Sequence, residues 1–137
     1  MVRKLLVSLA ALVATLGLMV PSATHASALG EEWLGCWVTP GEDSYWAPEC
    51  WGGATGGYVN VEFSVRGETS PSTYDWAVPA LYQSRIYAGC GPTQSFCKVR
   101  VQASSHQITV SVTLTQDGAT ATHTAAAYVD RWCGWWC

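Results

Sequence analysis

Two runs of strict alternation meet at Asp117-Gly118, and no other feature restricts the fold of this chain as much. Before the dipeptide, Ile108, Val110, Val112 and Leu114 alternate with Thr109, Ser111, Thr113 and Thr115. Period two puts the aliphatic set on one side of a strand and the hydroxyls on the other. Asp-Gly favours a two-residue type I′ turn, which needs positive φ at both central positions. A hairpin closed there fixes the register. Leu114 then faces Ala121, Val112 faces His123, Val110 faces Ala125 and Ile108 faces Ala127. Thr120, Thr122 and Thr124 lie beside Thr115, Thr113 and Ser111 on the opposite face. Small alanines opposite large aliphatics require something bulky over the inner face, either a second sheet or the tryptophan-rich ends of the chain.

Other segments carry the same period. From Tyr58, Val59, Val61, Phe63 and Val65 alternate with Asn60, Glu62, Ser64 and Arg66. Cys97, Val99, Val101 and Ala103 alternate with Lys98, Arg100 and Gln102. Residues 67–79 carry Gly67, Ser70, Pro71, Ser72 and Pro79 and read as a connecting loop. Ala80 to Ala88 is rich in β-formers and reads as a poorly alternating strand. Residues 29–57 hold nine glycines and prolines with no sustained period and read as loop-rich. No segment after residue 28 has a helical period. The expected class is all-β: a small, disulfide-stapled antiparallel meander over 58–137, folded into a sandwich or barrel.

The first 28 residues have the layout of a cleavable secretory signal. Arg3 and Lys4 precede an apolar run from Leu5 to Val20, and a small-residue stretch ends in Ala26-Ser27-Ala28. The run falls short of the ~20 residues that a spanning helix needs, and no second one follows. Cleavage is expected after Ala28, with Ala26 as the alternative, leaving 29–137 as one secreted domain. All six cysteines, Cys36, Cys50, Cys90, Cys97, Cys133 and Cys137, lie in that part. An even count in an exported chain favours disulfides over free thiols. Six cysteines allow 15 pairings, and nearest neighbours are the first expectation: Cys36–Cys50, Cys90–Cys97 and Cys133–Cys137. Each closed loop is worth about 2–4 kcal/mol in the chain-entropy account, which helps a domain of this size.

Removing Arg3 and Lys4 leaves five basic residues against ten acidic ones, a net charge of −5. Glu31, Glu32, Glu42, Asp43 and Glu49 all precede the first remaining base, Arg66. Such a balance opposes binding to nucleic acid and to anionic lipid.

Eight tryptophans follow the signal. Trp33, Trp37, Trp46 and Trp51 fall in the loop-rich segment, Trp132, Trp135 and Trp136 crowd the C-terminus, and Trp76 stands alone. Indoles stack on sugar faces and anchor protein interfaces, so the seven terminal tryptophans are the candidate binding residues. They can instead fill a core around cystines. Consecutive Trp135 and Trp136 point to opposite faces of an extended chain, so at least one is expected to be exposed or covered by a partner.

Other features weigh less. The threonine face resembles the flat hydroxyl arrays of ice-binding proteins, but threonine suits any wet face of a sheet. His123, in an apolar row, suits a buried imidazole with one hydrogen-bonded nitrogen better than a ligand or a base. Cys133-Gly134-Trp135-Trp136-Cys137 has one residue too many for a redox C-x-x-C motif. Zinc is disfavoured by the absence of a second ligand pair. There is no G-x-S-x-G, H-E-x-x-H or phosphate-cradling loop. The expectation is a secreted, non-enzymatic binding module, without metal or cofactor, whose aromatic ends contact a protein or a glycan. The alternatives are a secreted toxin or bacteriocin-like effector, and an inhibitor of an extracellular enzyme presenting Gln94 or Phe96 from the Cys90–Cys97 loop.

Overall fold

The computed structural model describes residues 29–41 and 45–131. Residues 1–28, the expected signal, lie outside that set, as do Glu42, Asp43, Trp132, Cys133, Trp135, Trp136 and Cys137. Eight strands and one helical turn follow in order: β1 (Trp33–Thr39), β2 (Glu49–Ala54), β3 (Tyr58–Arg66), β4 (Thr73–Ala77), α1 (Ala80–Gln83), β5 (Ile86–Gly89), β6 (Phe96–Gln102), β7 (His106–Gln116) and β8 (Ala119–Arg131). They form two four-stranded sheets, A with the order β1-β3-β6-β5 and B with the order β2-β8-β7-β4. The fold is therefore all-β, and of the architectures expected it is the sandwich.

The β7–β8 hairpin has the register read from the sequence, from Gln116 opposite Ala119 to Ile108 opposite Ala127. Asp117 and Gly118 have φ of 49° and 82°, both positive as the turn requires. Strand β3 spans the alternating run, and β6 begins one residue before it.

The connectivity differs from a simple meander. Only β5–β6 and β7–β8 are consecutive neighbours; every other connection crosses between sheets. The cause is burial. Each sheet has one apolar face, and alternating the chain between sheets covers both. Val59, Val61 and Phe63 from sheet A meet Ile108, Val110, Val112 and Leu114 from sheet B in a core where all seven are fully buried. The bulky cover over Ala125 and Ala127 is sheet A, with β1 packed against β8.

Three segments depart from expectation. The loop-rich stretch 29–57 contains β1 and β2. In β1, Leu34, Cys36 and Val38 face inward, while Trp33, Gly35, Trp37 and Thr39 face outward. Strand β2 runs parallel to β8 and holds two glycines. Close packing explains one of them: a Cβ on Gly53 would lie 2.1 Å from the Asp130 carbonyl oxygen. The presumed loop 67–79 contains β4, whose Tyr74 and Trp76 face the core opposite Leu114 and Val112. Ala80 to Ala88 is a one-turn helix followed by β5. Pro79 opens the turn, and its carbonyl accepts from Tyr82 N–H at 2.8 Å.

Two of the three nearest-neighbour disulfides are formed, Cys36–Cys50 and Cys90–Cys97. The first joins β1 to β2, and therefore sheet A to sheet B, through the fully buried core. Cys36 N–H also donates to Ala47 O at 2.8 Å, and Gly53 N–H to Pro40 O at 3.1 Å. These contacts stitch one open side of the sandwich. The Cys133–Cys137 pair lies outside the described residues.

Candidate binding face

The outward side of β1 supplies the aromatic part of the site. Trp33, Gly35 and Trp37 are two residues apart and share one face. Trp46 reaches that face because the Cys36–Ala47 hydrogen bond and the Cys36–Cys50 disulfide hold residues 45–50 beside β1. The Trp37 and Trp46 rings meet edge to face, 5.7 Å between centroids at 66°, a favoured arrangement for aromatic quadrupoles. Gly35 is the floor between Trp33 and Trp46. A Cβ there would sit 2.8 Å from the Trp33 ring and 3.3 Å from Trp46 Cβ.

Sheet register carries polar groups up to these rings. Trp37 pairs with Glu62, which pairs with Lys98; Thr39 pairs with Asn60, which pairs with Arg100. The result is a groove of about 320 Å³ lined by Trp37, Thr39, Trp46, Asn60, Glu62 and Tyr87. Lys98 Nζ lies 2.8 Å from Glu62 Oε2, and this hydrogen bond holds the ammonium pKa above its ordinary value. Arg100 Nε–H donates to Asn60 Oδ1 at 3.0 Å. Three cations also lie over rings on this side: Arg66 over Trp46 at 5.1 Å, Arg100 over Tyr87 at 5.0 Å and Lys98 over Phe96 at 5.5 Å. The groove combines apolar flat surface with hydroxyl, amide and carboxylate groups along its walls, the combination that small polar ligands require.

Of the seven candidate tryptophans, this face brings together Trp33, Trp37 and Trp46. Trp51 is elsewhere, on the outer side of sheet B, stacked on Tyr128 at 5.2 Å and 8°. Trp132, Trp135 and Trp136 lie outside the described residues. No described tryptophan belongs to the buried core. Trp76 comes closest, half-buried on the inner side of β4 with its N–H donated to Gln94 O at 3.0 Å.

The remaining candidates occupy other places. On the outer side of sheet B, the hydroxyls of Ser111 and Thr124 are 2.8 Å apart, and those of Thr113 and Thr122 are 2.9 Å apart. The threonine face thus uses part of its hydrogen-bonding capacity on itself. His123 Nε2 is buried and has no hydrogen-bond partner among the described residues. Gln94 is engaged within its own loop, accepting from Gly91 N–H at 3.0 Å, and Phe96 lies half-buried beneath Lys98. Among the described residues, no three histidine, cysteine or acidic side chains are grouped to hold a metal.

Sequence reasoning passed over Tyr87, Asn60, Glu62, Lys98, Arg66 and Arg100 as site residues. The alternation of β3 and β6 already placed the last five on wet faces. What it lacked was the pairing of β3 with both β1 and β6, which is a long-range fact.

The fold and the face together define a disulfide-stapled β-sandwich with an aromatic groove on one sheet. No protein-family model, no curated protein and no solved structure matches the chain.

Proposed function

We propose that this protein is an extracellular, non-enzymatic binding module, that the outer side of sheet A is its binding face, and that its ligand is a glycan. One observation carries the proposal: Trp37 and Trp46, outside the core, line a groove that also presents Asn60, Thr39 and Glu62, and Trp33 stands beside Trp46 across Gly35. The indoles are half-buried and keep part of their surface open, and their interleaving with amide, hydroxyl and carboxylate groups matches the alternating apolar and hydroxylated faces of sugar rings. The export-type leader and the disulfides support an extracellular setting. Among the described residues no helix is long and apolar enough to cross a membrane.

Glycan-array binding by the secreted protein, run beside a pull-down from culture medium, tests the proposal. Saturable binding to glycans is expected. Silence on the array with a protein captured from the medium would replace the glycan with a protein partner, and silence in both would remove the binding function. An inhibitor acting through Gln94 or Phe96 has less support, because both side chains are occupied within the domain.

A further inference from the structure

We infer that the ligand of the sheet A groove is an acidic polysaccharide, held by two aromatic-backed arginines at the groove walls; this rests on the glycan reading above.

The charge of the strands is divided between the two sheets. The strands of sheet A carry Arg66, Lys98 and Arg100 against one acid, Glu62. The strands of sheet B carry Glu49, Asp75 and Asp130 against one base, Arg131. The overall −5 of the secreted part therefore does not describe the strands of sheet A. Charge effects in solution fade over about 8–10 Å at ordinary ionic strength, so a ligand in the groove meets the local set.

Within that set Glu62 is matched by Lys98 at 2.8 Å. The positive excess then comes from Arg66 and Arg100. Each lies over an aromatic ring that forms a wall of the groove, Arg66 over Trp46 and Arg100 over Tyr87. A guanidinium held against a ring is pre-oriented, and its planar fork suits carboxylate, sulfate and phosphate oxygens. Arg66 is six positions along β3 from Asn60, the partner of Arg100. At 3.3–3.4 Å per residue, the two backbone sites are roughly 20 Å apart. A ligand that engages both arginines carries more than one negative group, as a chain of acidic sugars does. Nucleic acid fits less well. The Trp37–Trp46 pair stands edge to face rather than as a parallel platform for bases.

Matched polymer pairs test the inference: polygalacturonate against its methyl ester, and dextran sulfate against dextran, by affinity electrophoresis or calorimetry with the secreted protein. The acidic member of at least one pair is expected to bind about tenfold more tightly, and which pair responds identifies the anion as carboxylate or sulfate. Binding should weaken at least severalfold as salt rises from about 0.05 M to about 0.5 M. Galacturonate monomer should bind too weakly to compete. Arg100→Gln and Arg66→Gln should each reduce acidic binding about fivefold, while Asp75→Asn on sheet B should not change it. Equal binding within both pairs overturns the inference and leaves the glycan reading standing. No binding to these polymers or to a neutral glycan array removes both. Tighter binding to a single-stranded oligonucleotide than to any glycan overturns the inference in favour of nucleic acid.

Discussion

The double variant Cys36→Ala/Cys50→Ala should cost the domain about 3–4 kcal/mol. The bond closes a loop with a sequence separation of 14, and the chain-entropy account gives roughly 3 kcal/mol for a 15-residue loop. Both sulfurs lie in the fully buried core, so truncation also removes packing and adds up to ~1 kcal/mol. The Cys90–Cys97 loop has a separation of 7, so its removal should cost about 0.5 kcal/mol less by the same logarithm. Urea unfolding is the assay. The m-value should rise, because the unfolded chain expands, and the extrapolated stability should fall. A shift of about 15 °C in Tm should accompany it. Hydrogen exchange adds locality: the amides of Cys36 and Gly53, bonded to Ala47 and Pro40, should lose protection before the β7–β8 ladder does. A loss below about 1 kcal/mol, or exchange that rises uniformly, would refute the view that this disulfide is what joins β1 to β2 and holds Trp46 beside Trp37.

Two further outcomes follow from the same structure. Gly53→Ala should destabilise by about 3 kcal/mol in urea, since its Cβ would strike the Asp130 backbone oxygen, whereas Gly56→Ala, with nothing within 4 Å, should stay within about 0.5 kcal/mol of the parent. Tyr74 has its pKa raised above 10.0, first by burial and then by its hydrogen bond to Glu68. A raised folded-state value means that the contribution is complete below pH 10.0 and is lost as pH climbs towards the folded value. Phenolate absorbance should therefore show one tyrosine ionising late, together with alkaline unfolding, and Glu68→Gln should move that ionisation to lower pH.

How much was legible in the sequence depended on contrast between faces. In β7 and β8, valine, isoleucine and leucine alternate with threonine, and Asp117-Gly118 pins the turn, so even the register followed. Strand β1 alternates just as regularly, but its outward residues are Trp33, Gly35 and Trp37. Apolar residues on both sides erase the signal. Strand β2 carries two glycines because it lies tight against β8 and Val38, so composition disguised it as loop. Strand β4 alternates correctly over five residues, too few to stand out between prolines and serines. The tryptophans were visible as candidates, yet their separation was not. Trp37 and Trp51 are near in sequence, and the crossing from β1 to β2 sends them to opposite outer faces of the sandwich.

That separation allows the most direct measurement of the central claim. Trp37→Ala and Trp51→Ala, each shown to fold by its melting curve, are compared on the same glycan array. Truncating an anchoring indole typically costs 2 kcal/mol or more, about a 30-fold loss. If sheet A is the binding face, the Trp37 variant loses its signal and the Trp51 variant keeps it. Equal retention in both, or loss confined to the Trp51 variant, contradicts the account.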